Sequence, residues 1–316
     1  MTQNVKQNLA FFFPGQGSQS KGMLADFLAE ERIVQDVFSE ASDVLSYDMS
    51  ALVLDDAEDK LNQTEYTQPA LLTASTALFR LWQSRGGAMP AQMAGHSLGE
   101  YSALVAAGVL NFKDAVALVA FRGQAMMQAV PAGVGKMAAI IGLDDDKVVE
   151  LCESTSNDTD KVWAANFNCP GQLVVAGHAD AVERLMVVAK EAGAKRALPL
   201  AVSAPSHTPL MQDAADAMQE KLSRTTLSMP LCPVWSNARA VALNDVEDIR
   251  TALVEQLVSP VRWTETIQKM SVNGIASAVE MGPGKVLSGL VRRIDKNLSV
   301  ASVLTSDLMD KAVNDE

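Results

Sequence analysis

The stretch Gly95-His96-Ser97-Leu98-Gly99 holds a serine in the pattern Gly-x-Ser-x-Gly, between a strand-like run and a helix-like one. A sharp turn there lifts a hydroxyl above the end of a sheet. Flanking glycines let strand and helix close on each other, and N–H groups at the helix start face a developing oxyanion. Glycine and serine are common in turns, so the pattern alone also occurs by chance. The strand before it and the helix after it make Ser97 a candidate nucleophile.

A serine nucleophile needs a base, and the chain has three histidines. His96 adjoins the serine, and adjacent side chains on a tight turn diverge, so packing is its expected role. His178 is read as opening a helix, at the surface or as a cap. His207 lies in Ser203-Ala204-Pro205-Ser206-His207-Thr208-Pro209, where two prolines stiffen the backbone before a helix. It is favoured by elimination, against the plainer reading of a loop histidine bonded to a neighbour. No aspartate stands out as a third member.

A charge raises a further question. The run 115–127 is apolar nearly all round, which predicts a buried helix, yet it carries Arg122 near its middle. An unpaired buried guanidinium is very costly. Either a protein carboxylate pairs with it, or it reaches the surface, or a ligand brings a carboxylate that the planar fork can grip. Taken alone, the first two are the simpler explanations.

The elements that must position these groups alternate between strand-like and helix-like, an α/β pattern with a largely parallel sheet. Residues 9–13 read as a buried first strand and 68–83 as a long helix with Pro69 in its first turn. Residues 91–96 read as a strand, and 98–107 and 113–129 as helices. Between 136 and 202 the order is β-α-β-β-α-β, a ferredoxin-like unit. Three segments follow: 1–130 and 203–316 as a large subdomain, and 131–202 as a small subdomain inserted in it. A strand near 234–236, a helix near 246–257 and a strand at 276–281 come later, and the acidic C-terminus is expected to fray.

The chain has 316 residues, 48% of them hydrophobic, and a net charge of −12. That charge argues against wholesale nucleic-acid binding. No apolar run reaches membrane-spanning length, and the first residues lack the basic-then-apolar pattern of a leader. Cys152, Cys169 and Cys232 are odd in number and widely spaced, which fits neither a zinc site nor a closed disulfide set. A cytoplasmic location is expected. Gly282-Pro283-Gly284-Lys285 imitates a phosphate loop, but Val286 stands where a Walker motif needs Ser or Thr.

Together these pieces resemble the malonyl-CoA:acyl-carrier-protein transacylases of dissociated (type II) fatty acid synthesis. The resemblance runs from about residue 9 to 294. It is carried by Phe13-Pro14-Gly15-Gln16-Gly17-Ser18-Gln19, Gly95 to Tyr101, Arg122-Gly123, Ser206-His207 and Gly282 to Leu287. It implies an α/β-hydrolase-like large subdomain with a ferredoxin-like insert. It also implies a ping-pong transfer through malonyl-Ser97, with His207 as base and then acid, and Arg122 on the malonyl carboxylate. Backbone N–H groups of Gln16 and Leu98 would form the oxyanion hole, and the main-chain carbonyl of Gln256 would orient the histidine. Gln68, Asn166 and Asn168 would line the cleft. Malonyl-CoA and an acyl carrier protein are the implied partners, and no bound cofactor or metal is needed. Arg292 and Arg293, with Lys285 and Lys296 nearby, are candidates for docking an acidic carrier, against the alternative of a solvated helix face. Ser206 is small, and relatives that choose among malonyl and branched analogues vary near this position, so the resemblance leaves the choice between malonyl and methylmalonyl open. A hydrolase built on the same elbow, or a non-catalytic scaffold, are the rival readings.

Overall fold

Residues 9–13 are apolar without interruption because both sides of their strand are covered. In a computed structural model, which describes residues 5–202 and 204–315, this strand is β1 (Val5–Phe13). Ser203 lies outside the described residues. Leu9, Phe11 and Phe13 enter one hydrophobic layer, where Phe11 meets Phe79 and Trp82 edge-on. Ala10 and Phe12 enter the other, where Phe12 meets Trp263.

The long helix Thr64–Ser84 follows, then β2 (Met89–Gly95), the short helix Gly99–Ala106 and the buried helix Phe112–Ala129. Pro69 is therefore inside its helix and not in the first turn, because the helix starts at Thr64 rather than at residue 68. It forfeits the bond to the carbonyl of Glu65. The next four strands are β3 (Gly135–Ile141), β4 (Val162–Cys169), β5 (Gln172–His178) and β6 (Arg196–Pro199). They form an antiparallel sheet in the order β4-β5-β3-β6, the ferredoxin-like arrangement, with helices Asp145–Thr155 and Ala179–Glu191 packed on its hydrophobic side.

The chain then returns through β7 (Val234–Trp235), β8 (Ala242–Leu243), β9 (Ser277–Glu280) and β10 (Ser299–Ser302). The larger sheet has the order β10-β9-β1-β2-β7-β8, parallel except for the edge strand β8. His178 ends β5 and, as read, stands at the N-cap of the helix Ala179–Glu191; its side chain makes no cap bond, and its Nδ1 accepts the N–H of Lys161 at 2.9 Å instead. A further feature differs from the sequence reading. The acidic C-terminus is a helix, Ser306–Asp315, that buries Met309 and Ala312. Two apolar residues three apart hold it against the core despite the charges between them.

Candidate active site

Ser97 sits where β2 turns into the helix Gly99–Ala106, with φ at 52°. A non-glycine residue held there costs about 1–3 kcal/mol, so its surroundings must impose it. Two of them do so by proximity. A Cβ on Gly95 would lie 1.9 Å from the Gly99 backbone, and one on Gly99 would lie 2.0 Å from the carbonyl oxygen of Phe13. Asn237, after β7, imposes it by hydrogen bonding: its Oδ1 accepts the Ser97 N–H at 2.6 Å and its Nδ2 donates to the Gly95 carbonyl at 2.6 Å.

His207 is brought to the serine by the turn between Pro205 and Pro209, where it too adopts a positive φ of 63°. Its Nε2 lies 2.8 Å from Ser97 Oγ, and its Nδ1 donates to the main-chain carbonyl of Gln256 at 2.8 Å. That second bond fixes the tautomer, leaving Nε2 as a lone pair facing the hydroxyl. Burial, reinforced by the positive charge of Arg122, pushes the imidazole down to about 3. His207 is therefore neutral near neutral pH, the state a base requires.

Arg122 is 1% exposed on the helix Phe112–Ala129. Among the described residues, no carboxylate lies within ion-pairing distance. Two amide oxygens hold it instead: Gln68 Oε1 at 2.8 Å from one terminal nitrogen and Gln256 Oε1 at 2.9 Å from the other. The guanidinium carbon stands 5.4 Å from the Tyr101 ring, and Nε is buried with no partner. A guanidinium carries five N–H donors, so most of them stay free for a ligand.

Gln16, Gln68, Ser97, Leu98, Arg122 and His207 line one cavity of about 80 Å³, which β3 and the segment after β6 close with Met137, Leu200 and Val202. Among the described residues, no acceptor pairs with the N–H of Gln16 or Leu98, whereas those of Gly99, Glu100 and Tyr101 are spent on the turn. Asn166 also lines the cavity, its Oδ1 buried without a partner. Asn168 stands one layer back, bonded through Oδ1 to His96 Nε2 at 2.8 Å. His96 packs on Trp263 at 5.6 Å, and burial lowers its pKa. A larger depression of about 500 Å³, beside Lys221 and Phe121, is lined by no serine, cysteine or histidine.

Arg292 and Arg293 are both exposed near the end of the helix Val286–Ile294. Arg293, however, donates to Gln172 Oε1 at 2.7 Å and to the Pro170 carbonyl at 3.3 Å, tying this helix to the β4–β5 turn.

Sequence reasoning missed three things. The first is Asn237, which follows a strand of two residues and belongs to no motif. The second is the side chain of Gln256, whose carbonyl alone was considered. The third is Glu100, a carboxylate 2% exposed in the apolar helix Gly99–Ala106. Its signal in the sequence is the one that marks Arg122, a charge in an apolar helix.

A model of the acyl transferase domain matches residues 10–311. The chain belongs to the acyl transferase family. Within it, the relatives of this acyltransferase are malonyl CoA-acyl carrier protein transacylases. That of Salmonella typhimurium is 53% identical over 294 residues, 93% of this chain and 95% of that protein. Among solved structures, a malonyl-transacylase in complex with its type II PKS acyl-carrier protein matches the acyltransferase with a TM-score of 0.96 at 49% identity, covering 98% of this chain and 100% of that one. An acyl carrier protein S-malonyltransferase from Vibrio cholerae matches with a TM-score of 0.93 at 52% identity, over 96% and 99% of the two chains.

Proposed function

We propose that this acyltransferase moves a malonyl group from malonyl-CoA to the phosphopantetheine thiol of an acyl carrier protein, through a malonyl ester on Ser97. One observation carries the reading: a serine bonded to a neutral histidine shares a cavity of about 80 Å³ with a buried guanidinium that has no carboxylate partner among the described residues.

In the first half-reaction Ser97 Oγ attacks the thioester carbonyl and its proton passes to His207 Nε2. The oxyanion accepts the N–H groups of Gln16 and Leu98, each such donor contributing about 2.7–4 kcal/mol to the transition state. The C–S bond breaks, and the imidazolium returns its proton to the CoA thiolate. In the second half the carrier's thiol gives its proton to His207 and attacks the ester. Collapse expels the Ser97 oxygen, which takes the proton back. No other co-reactant is consumed, so no bound cofactor is invoked.

The Gln256 carbonyl keeps the imidazole in its productive tautomer throughout. Arg122 holds the malonyl carboxylate. An acetyl group leaves the guanidinium without that partner, so the site discriminates by charge rather than by size. Gln68 holds Arg122 from behind, and Asn166 offers an acceptor at the cavity wall.

The same reading divides the chain into a large subdomain (1–130 and 203–316) and an insert (131–202), supported by the two separate sheets. The carrier docks where Arg292, Lys285 and Lys296 are exposed, with Arg293 holding the platform together. No described helix is long and apolar enough to cross a membrane, and the chain works in the cytoplasm.

Labelled malonyl-CoA, supplied without carrier protein, tests the proposal. A stoichiometric adduct on Ser97, absent from Ser97→Ala, supports it. Steady release of free malonate would make the protein a hydrolase, and no adduct would make it a scaffold.

A further inference from the structure

Glu100 lies in the first turn of the helix that follows the nucleophile, and its Oε2 accepts two bonds: from the Asn237 N–H at 3.0 Å and from Gln256 Nε2 at 2.8 Å. Both partners reach the reacting groups. Asn237 clamps the Gly95 carbonyl and the Ser97 N–H with its side chain. Gln256 offers its carbonyl to His207 and its Oε1 to Arg122.

Gln256 Nε2 also donates to the Ser97 carbonyl at 3.0 Å, so both its hydrogens are committed on the Glu100 side. The amide therefore has one workable orientation. Turned over, its oxygen would face a carboxylate and a carbonyl, and its nitrogen would face the Arg122 donors.

We propose that Glu100 is a positioning residue: its carboxyl oxygen sets the direction of the Gln256 amide and anchors Asn237, keeping nucleophile, base and Arg122 in one alignment. This rests on the transferase reading above. Arg122 and Arg239 supply the positive field around Glu100, opposing the burial that pushes its pKa up to about 7. The required property is reach and an acceptor atom, not net charge.

That distinction sets the experiment. Glu100→Gln keeps length and an acceptor oxygen but loses the charge. Glu100→Asp keeps the charge but is one methylene too short to reach both partners. Both are compared with the wild type by thermal unfolding and by malonyl and acetyl transfer. Glu100→Gln is expected to keep kcat/KM for malonyl-CoA within about threefold. Glu100→Asp is expected to lose roughly 10- to 100-fold, the effect of one or two buried bonds, and to lose malonyl-over-acetyl preference as Arg122 comes adrift. Three results overturn the proposal: the opposite ranking, two variants with wild-type kinetics, or a loss in Glu100→Gln beyond tenfold. The Glu100→Gln arm decides even where Glu100→Asp does not fold. Failure of the wild type to become acylated would instead refute the transferase reading.

Discussion

Replacing Arg122 with methionine removes the guanidinium while keeping an unbranched side chain of similar reach. Gln68 and Gln256 engage one terminal nitrogen each, which leaves a free N–H on both of those nitrogens and the unpartnered Nε. A malonyl carboxylate accepting two of these makes charge-assisted bonds of about 1.5–3 kcal/mol each. At a factor of ten per about 1.4 kcal/mol, Arg122→Met should lower kcat/KM for malonyl-CoA by roughly 10²- to 10⁴-fold. Acetyl-CoA has no carboxylate to lose, so its transfer should change by less than about tenfold. The Arg122 charge also helps to depress the His207 pKa, so the acid limb of the acetyl-transfer profile should move to higher pH. Stability should fall modestly, because two glutamine oxygens lose a donor at about 1–3 kcal/mol each while the cost of burying a charge disappears. Steady-state transfer from both thioesters across pH, with thermal unfolding as the control, reads all of this. Equal losses for malonyl and acetyl would refute the carboxylate role.

Three further outcomes are expected. Because His207 falls from 6.5 to about 3 on folding, below pH 6.5 the unfolded chain takes up a proton that the native one refuses. Its contribution to stability therefore declines by about 1.4 kcal/mol per pH unit between those values. Glu100, raised from 4.5 to about 7, acts with the opposite sign over part of that range, since there the folded chain keeps the proton. Urea titrations of the wild type and His207→Gln isolate the histidine term, and identical slopes for the two would contradict the assignment. Gly99→Ala sets a Cβ about 2.0 Å from the Phe13 carbonyl. The forced shift should cost about 1–3 kcal/mol or more and displace Ser97, seen as a lower melting temperature and lost acylation; a silent variant would contradict the close-approach argument. Arg292→Glu should raise KM for the carrier and spare that for malonyl-CoA, whereas Arg293→Glu should also lower stability by breaking the tie to Gln172 and Pro170. Identical behaviour of the two variants in both assays would contradict the division of roles.

The local signals in this sequence are strong wherever one residue type has few uses. The elbow shows as Gly95 and Gly99 around a serine between strand and helix, and the small sheet follows from its alternation of short strands and helices. Arg122 stands out as a charge in an apolar helix. Convergence is another matter: Ser97, Arg122, His207 and Gln256 are far apart in the chain, and only the crossings of the parallel sheet bring them within bonding distance. Elimination among three histidines favours His207 but does not demonstrate its bond to Ser97. Polar residues such as Asn237 carry no local pattern, because their partners are backbone groups from distant strands. The C-terminal helix is hidden in the sequence because its charges outnumber the two buried apolar residues that hold it.

The most direct measurement of the central claim is a chase on isolated acyl-enzyme. Protein labelled by malonyl-CoA and freed of excess thioester is mixed with carrier protein bearing its phosphopantetheine arm, and the label is followed by mass spectrometry. The account predicts that the label leaves Ser97 for the carrier thiol in a single turnover, and that it stays on Ser97 when carrier is withheld. Label lost to water at the same rate with and without carrier, or never found on Ser97, would contradict it.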